Sequence, residues 1–166
     1  RYAAERRFRA YGVAAILFGI LFLVALFSTI LVRGYSAFTQ SAFTLDVNLD
    51  AGAFGSSSPP TESDLLMADY TKLANRALFQ VLGVDPANRA DAKAAAALLS
   101  ANADTQIRKA VLADPSLIGK SVQLTLLAHG NVDSLMKGQF DRNIPEGRRQ
   151  LSDKQLAWLD KAAEAG

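Results

Sequence analysis

Few residues of this chain have the types and spacing that do chemistry. Gly119-Lys120-Ser121 has the tail of a phosphate-cradling loop, in which backbone N–H groups and a lysine hold an anion. That loop also needs a glycine five positions before Gly119, a strand ahead of it and a helix after it. Asp114 occupies the glycine position, and the residues that follow alternate like a strand. Ser121 or Ser134 with His129 and Asp133 supplies the residue types of a hydrolase triad, in which serine attacks and histidine takes its proton. Neither serine sits in a nucleophile elbow. His129, before Gly130-Asn131 in a predicted turn, is the one histidine, so histidine metal ligands cannot be paired. Cysteine is absent, which removes thiolate chemistry and disulfides. Asp46 and Asp50 are predicted to point to the open face of a strand, where carboxylates are ordinarily solvated. Arg148-Arg149 reads as a solvated pair in a loop that could meet an anion. The expectation is a chain that is not an enzyme and carries no metal or cofactor.

The elements that would position these residues start with one long apolar run. Residues 10–32 contain no charge, and their polar side chains are Tyr11, Ser28 and Thr29. A helix of about 23 residues is about 34 Å long, enough for a hydrocarbon core of roughly 30 Å. About fourteen of its residues are Leu, Ile, Phe or Val, together roughly −4 to −8 kcal/mol on an insertion scale. A buried core helix would be shorter or carry a polar stripe, whereas Ile16 through Val24 is apolar all round. A cleaved signal peptide would have a shorter apolar run and a small-x-small site, and Leu31-Val32-Arg33-Gly34-Tyr35 offers none. The run reads as a transmembrane helix. Arg1, Arg6, Arg7 and Arg9 precede it, and after Arg33 the next cation is Lys72, with Asp46, Asp50, Glu62, Asp64 and Asp69 between. The positive-inside rule therefore puts the N-terminus in the cytoplasm and the rest outside. Gly12, Ala15 and Gly19 share one face at the spacing that lets a neighbouring helix approach, although small residues also scatter through apolar runs by chance.

Charge points the same way. Net charge is +2, yet Arg1, Arg6, Arg7, Arg9 and Arg33 against Glu5 contribute +4, leaving −2 for the remainder. With no cationic face on the folded part, a nucleic-acid partner is not expected.

Beyond residue 34 the period changes. Phe43, Leu45, Val47 and Leu49 alternate with polar residues, predicting a strand. Residues 52–60, rich in Gly, Ser and Pro, are expected to link rather than to join a core. Thr61 should cap one helix running through Leu65, Leu66, Leu73, Leu78 and Leu82 to Gly83. Asp85-Pro86 should open another through Leu99, and Asp104 should cap a shorter one ended before Asp114-Pro115. Val122, Leu124 and Leu126 predict a second strand, paired with the first or with something else. Ser152 and Gln155 have capping-box spacing ahead of Leu156, Trp158 and Leu159. The predicted class is α+β: one N-terminal transmembrane helix, then a small, mostly helical extracytoplasmic domain with two strands. Its parts are a cytoplasmic basic head at 1–9, a span at 10–32, a strand and Gly/Ser/Pro linker at 33–62, and the domain at 63–166.

Several segments carry a family resemblance. Arg1-Tyr2-Ala3-Ala4-Glu5-Arg6-Arg7-Phe8-Arg9 leading into the span resembles the N-terminal region of PstA-type permeases of the bacterial phosphate ABC importer. Gly34-Tyr35-Ser36-Ala37-Phe38-Thr39-Gln40 is similar to that family's GY-x-AF-x-Q segment, and Leu45-Asp46-Val47 to its following strand. Residues 151–160 resemble the end of a periplasmic region that some members carry. The resemblance implies an inner-membrane location, phosphate import as the function of the whole protein, and as partners a second permease subunit, the transporter ATPase and a periplasmic phosphate-binding protein. It carries over no transport residue, since the family's further transmembrane helices and coupling loop have no counterpart here, and it implies that the chain is a fragment. The alternatives are a self-contained single-pass envelope protein whose outer domain senses a ligand or binds a protein, and a membrane-anchored hydrolase built on His129.

Overall fold

The computed structural model describes residues 2–35, 39–55 and 59–164. It forms two compact units, Arg1–Gln40 and Ser41–Gly166. The predicted boundary after residue 62 lies instead between Gln40 and Ser41, because the first strand is part of the core that follows it. Residues 56–58 of the expected linker lie outside the described residues.

The first unit is a single helix, α1 (Tyr2–Tyr35). It does not begin at the start of the apolar run but continues through the basic head, whose Glu5, Arg6, Arg7 and Arg9 are good helix formers. At 1.5 Å per residue α1 is about 51 Å long, well beyond a hydrocarbon core of roughly 30 Å. Its stretch Glu5–Val32 is long and apolar enough to span a membrane. Thr29 satisfies its hydroxyl inside the helix by donating from Oγ1 to the Ala25 carbonyl at 2.8 Å, as a polar group in an apolar setting must.

The second unit is α+β. Its strands β1 (Ala42–Asn48) and β2 (Ser121–Leu127) pair antiparallel, from Ala42 opposite Leu127 to Asn48 opposite Ser121. The two expected strands are thus each other's partners. One face carries Leu45, Val47 and Leu126 into the core, and the other exposes the pairs Thr44–Thr125, Asp46–Gln123 and Asn48–Ser121.

Between the strands run a short 3₁₀ turn (Ala51–Phe54) and the helices α2 (Glu62–Met67), α3 (Tyr70–Leu82), α4 (Arg89–Ala96) and α5 (Ala103–Ala113). After β2 come α6 (Gly130–Met136) and α7 (Asp153–Glu164). The central element is α3, which packs on β1, α4, α5 and α7. It buries Tyr70, Leu73, Ala74, Ala77, Leu78 and Leu82, one stripe at the 3.6-residue period, and stops at Gly83, which takes the left-handed conformation at φ 68°.

Four expectations change on this scaffold. The one helix predicted from Thr61 to Gly83 is two. Thr61 and Asp64 form a reciprocal capping box for α2, Ala68 is extended, and the Asp69 carboxylate accepts from the Lys72 N–H to cap α3 anew. The break turns Tyr70 inward and leaves Leu66, expected on the apolar side, half exposed. The next helix begins at Arg89, capped by Asn88, because Asp85 instead accepts from the Ala87 N–H in a turn. Its expected tail unwinds so that Leu99 bridges Ala128 and the Ser100 N–H donates to the Leu127 carbonyl at 2.9 Å, covering one end of the β2 edge. In α5, Asp104 lies within the first turn and Asn102 occupies the cap position.

Phe54 is the fourth. The composition around it reads as linker, yet its ring is fully buried and meets Tyr70 edge-to-face, centroids 5.9 Å apart. Phe54→Ala should therefore destabilise the domain by about 3–5 kcal/mol, as removal of a core aromatic does, lowering the midpoint of a denaturant unfolding curve accordingly.

Candidate functional site

Several of the residues whose types could do chemistry are used for structure. The Gly119 N–H donates to the Leu49 carbonyl at 2.7 Å, and the Lys120 carbonyl accepts from the Leu49 N–H at 2.9 Å. With Gly119 at φ 84°, this segment closes the end of the sheet, and a strand follows it, not a phosphate-facing helix. His129 is the N-cap of α6, where its Nδ1 accepts from the Asn131 N–H at 3.2 Å, so it caps a helix the sequence did not suggest.

Asp133, one of the triad's residue types, serves as a clasp. One carboxylate oxygen accepts from the Ser41 N–H at 2.7 Å and the other from Lys137 Nζ at 2.6 Å, tying the first residue of the domain to α6. The Lys137 hydrogen bond first, then that of Ser41, holds its carboxyl below the usual carboxylate range. Asp46 lies on the exposed sheet face as expected, opposite Gln123. Asp50 does not share that face: it follows the strand and caps the 3₁₀ turn, accepting from the Gly52 N–H. Arg149, expected to be solvated, is buried to 4% side-chain exposure, with its guanidinium donating to the Arg142 carbonyl and to Asp153 at the start of α7. That helix carries the expected capping box, Ser152 N–H to Gln155 Oε1 at 2.9 Å and Gln155 N–H to Ser152 Oγ at 3.2 Å. Gln155 also donates from Nε2 to the Ala94 carbonyl at 2.8 Å, which docks α7 on α4 beside the half-buried Trp158.

Two surfaces remain. On α1, a Cβ added at Gly12 or Gly19 would meet nothing within 4 Å, and Ala15 beside them is exposed, so the small-residue face is open. Arg6, Arg7 and Arg9 are exposed on the same helix, and Arg1 lies outside the described residues. On the domain, α3 and the turn after it form a groove of about 630 Å³, with Phe79, Val84 and Pro86 supplying apolar surface and Lys72, Asn75 and Arg76 supplying polar groups. Lys72 and Arg76 also border a second depression of about 360 Å³ beside Asp50. Sequence reasoning missed this groove, because its lining is what the solvated face of an amphipathic helix looks like.

These features define a class: among the described residues, a chain with one helix long and apolar enough to span a membrane, and an α+β domain with a groove beside α3. The chain belongs to the family described as a domain of unknown function, DUF3333, whose profile matches residues 1–146. No curated protein and no solved structure matches it.

The Asp133 contacts have a pH signature. A carboxyl with a depressed folded-state pKa stabilises above its unfolded value, near pH 4, and that stabilisation is lost as pH falls through the folded value. The gap in melting temperature between the wild type and Asp133→Asn should stay constant around neutrality and narrow below about pH 4. Asp114, also lowered by hydrogen bonds from Ser116, keeps part of the acid slope in both proteins.

Proposed function

We propose that this chain is the N-terminal membrane anchor and periplasmic domain of a phosphate-importer permease subunit in the bacterial inner membrane, serving assembly or docking and performing no chemistry. The observation that carries the reading is the exposed apolar surface of α1, followed directly by the Gly34-Tyr35 to Gln40 segment that resembles the permease family. The use of His129 as a helix cap, of Asp133 as a clasp on Ser41 and of Gly119-Lys120 to close the sheet supports a non-catalytic role. The open face of Gly12, Ala15 and Gly19 suits contact with another helix of such an assembly. The second permease subunit, the transporter ATPase and a periplasmic phosphate-binding protein are the partners this reading requires.

A second reading, a self-contained single-pass envelope protein with a ligand-sensing or protein-binding outer domain, draws support from the α3 groove. The gene beyond Gly166 discriminates them: several more apolar spans favour the permease, and a stop codon favours the single-pass protein.

The domain boundary fixes the deletion to make. Removing residues 41–166 as a unit from the full protein should lower phosphate uptake or reduce copurification of the partner subunits, and no change in either would remove the docking role. Topology is accessible because the chain lacks cysteine. A single cysteine at Ser56 should react with an impermeant maleimide in intact spheroplasts, and one at Ala3 only after permeabilisation.

A further inference from the structure

The two edges of the sheet are not alike. The Leu49 N–H donates to the Lys120 carbonyl at 2.9 Å, and the Ala128 N–H donates to the Ser41 carbonyl at 3.0 Å. Odd-numbered residues of β1 therefore aim their N–H and C=O groups at β2, whereas Ala42, Thr44, Asp46 and Asn48 aim theirs away from it. The outer edge of β2 is partly closed, since the Leu127 N–H donates to Gln106 Oε1 at 2.7 Å and the Leu127 carbonyl accepts from the Ser100 N–H. Among the described residues, no hydrogen bond reaches the outward backbone groups of β1. Residues 42–48 also lack the lysine, proline or bulge that blunts an open edge, and their one charge is Asp46. Phe43 stands on the core face opposite the fully buried Leu126, yet is itself only half-buried.

A strand added at this edge must continue both faces of the sheet, apolar on the core side and polar on the other. A second β1, run antiparallel about a two-fold axis, meets that condition when even-numbered residues face even-numbered ones. Centred on Leu45, the whole of 42–48 overlaps. Thr44 then faces Asp46 of the second copy, Ala42 faces Asn48, and on the core side Leu45 meets Leu45 and Phe43 meets Val47. Centred on Asp46, two carboxylates would stand opposite each other, which is unfavourable. Centred on Thr44, the overlap shrinks to residues 42–46. One register thus combines full overlap, continuous faces and no like-charge pair.

We propose that β1 pairs with β1 of a second copy of this chain, antiparallel and centred on Leu45, giving a four-stranded sheet in the order β2-β1-β1-β2. The pairing belongs to the domain and stands apart from both functional readings above.

Because the chain has no cysteine, introduced ones report the register in the whole protein, held in mild detergent. Opposed residues of a hydrogen-bonded pair lie about 5.5 Å apart at Cα, within the roughly 4.4–6.8 Å that a disulfide spans. Thr44→Cys and Asp46→Cys chains, told apart by a tag and oxidised together, should form the mixed dimer roughly fivefold more than either forms with itself. Gln123→Cys, on the same exposed face but on the far strand, should cross-link at background level. Mixed dimers no more abundant than the self-paired ones, or equal cross-linking through Gln123→Cys, would overturn the proposal. A second measurement needs no disulfide. Energy transfer between whole chains labelled at Ala101→Cys, an exposed position, should rise with concentration as copies associate. Adding Thr44→Asp should weaken that association roughly fivefold, and Thr44→Lys should strengthen it by a similar factor, because residue 44 faces Asp46 of the second copy twice per dimer. Residue 44 is exposed opposite Thr125, so the unfolding midpoints of both variants should match the wild type. A chain that stays monomeric at every concentration, or association unmoved by both charges, would also overturn the pairing.

Discussion

A buried tyrosine hydroxyl governs how the first half of the domain is arranged. Tyr70 is almost wholly enclosed, and its Oη donates to the Leu65 carbonyl at 2.6 Å, at the end of α2. A phenol left unpaired in that position would lose on the order of 1–3 kcal/mol, so the two helices must meet at the angle that brings this carbonyl to it. The same ring packs against Phe54 on one side and lies under the Arg108 guanidinium at 5.4 Å, and it thereby joins the 3₁₀ turn, α2, α3 and α5. Burial pushes its ionisation above the ordinary tyrosine value, with Arg108 opposing the shift. The break between α2 and α3 follows from this contact, because an unbroken helix would not place the side chain of residue 70 and the carbonyl of residue 65 in one hydrogen bond.

The long apolar helix α1 is governed by a different constraint. Its large side chains are uncovered, Phe18 at 71% and Phe22 at 61% exposure, so in water it would be the least stable part of the molecule. One of its faces carries the small residues Gly12, Ala15 and Gly19 among large apolar neighbours. A helix with such an asymmetry has a preferred rotation once something occupies that face.

Legibility in the sequence followed the range of the interactions. The alternation at Phe43 to Leu49 and at Val122 to Leu126 marked both strands, since each buries one face and exposes the other. The cap at Thr61 and the capping box at Ser152 were readable because a cap is completed within four residues. Phe54, the inward turn of Tyr70 and the burial of Arg149 were not, because each depends on a partner brought by the fold: the Tyr70 ring, the Leu65 carbonyl, the Arg142 carbonyl. His129 looked like a turn residue because the helix it caps, Gly130–Met136, is short and has only Val132 and Leu135 buried. Of the candidate surfaces, the small-residue face was visible as spacing, whereas the α3 groove required knowing which side of α3 its neighbours leave open.

The pairing of β1 with β2 also sets a schedule. The first strand leaves the ribosome before residues 49–120, and its partner comes after them. At about 5–20 residues per second, β1 waits on the order of 4–15 s for β2. During that interval the edge carried by Leu45 and Val47 has no ladder to join, and α1 has already been made. The domain is therefore assembled last to first, with its oldest strand locked by its youngest, and the Asp133 clasp on Ser41 can close only after that.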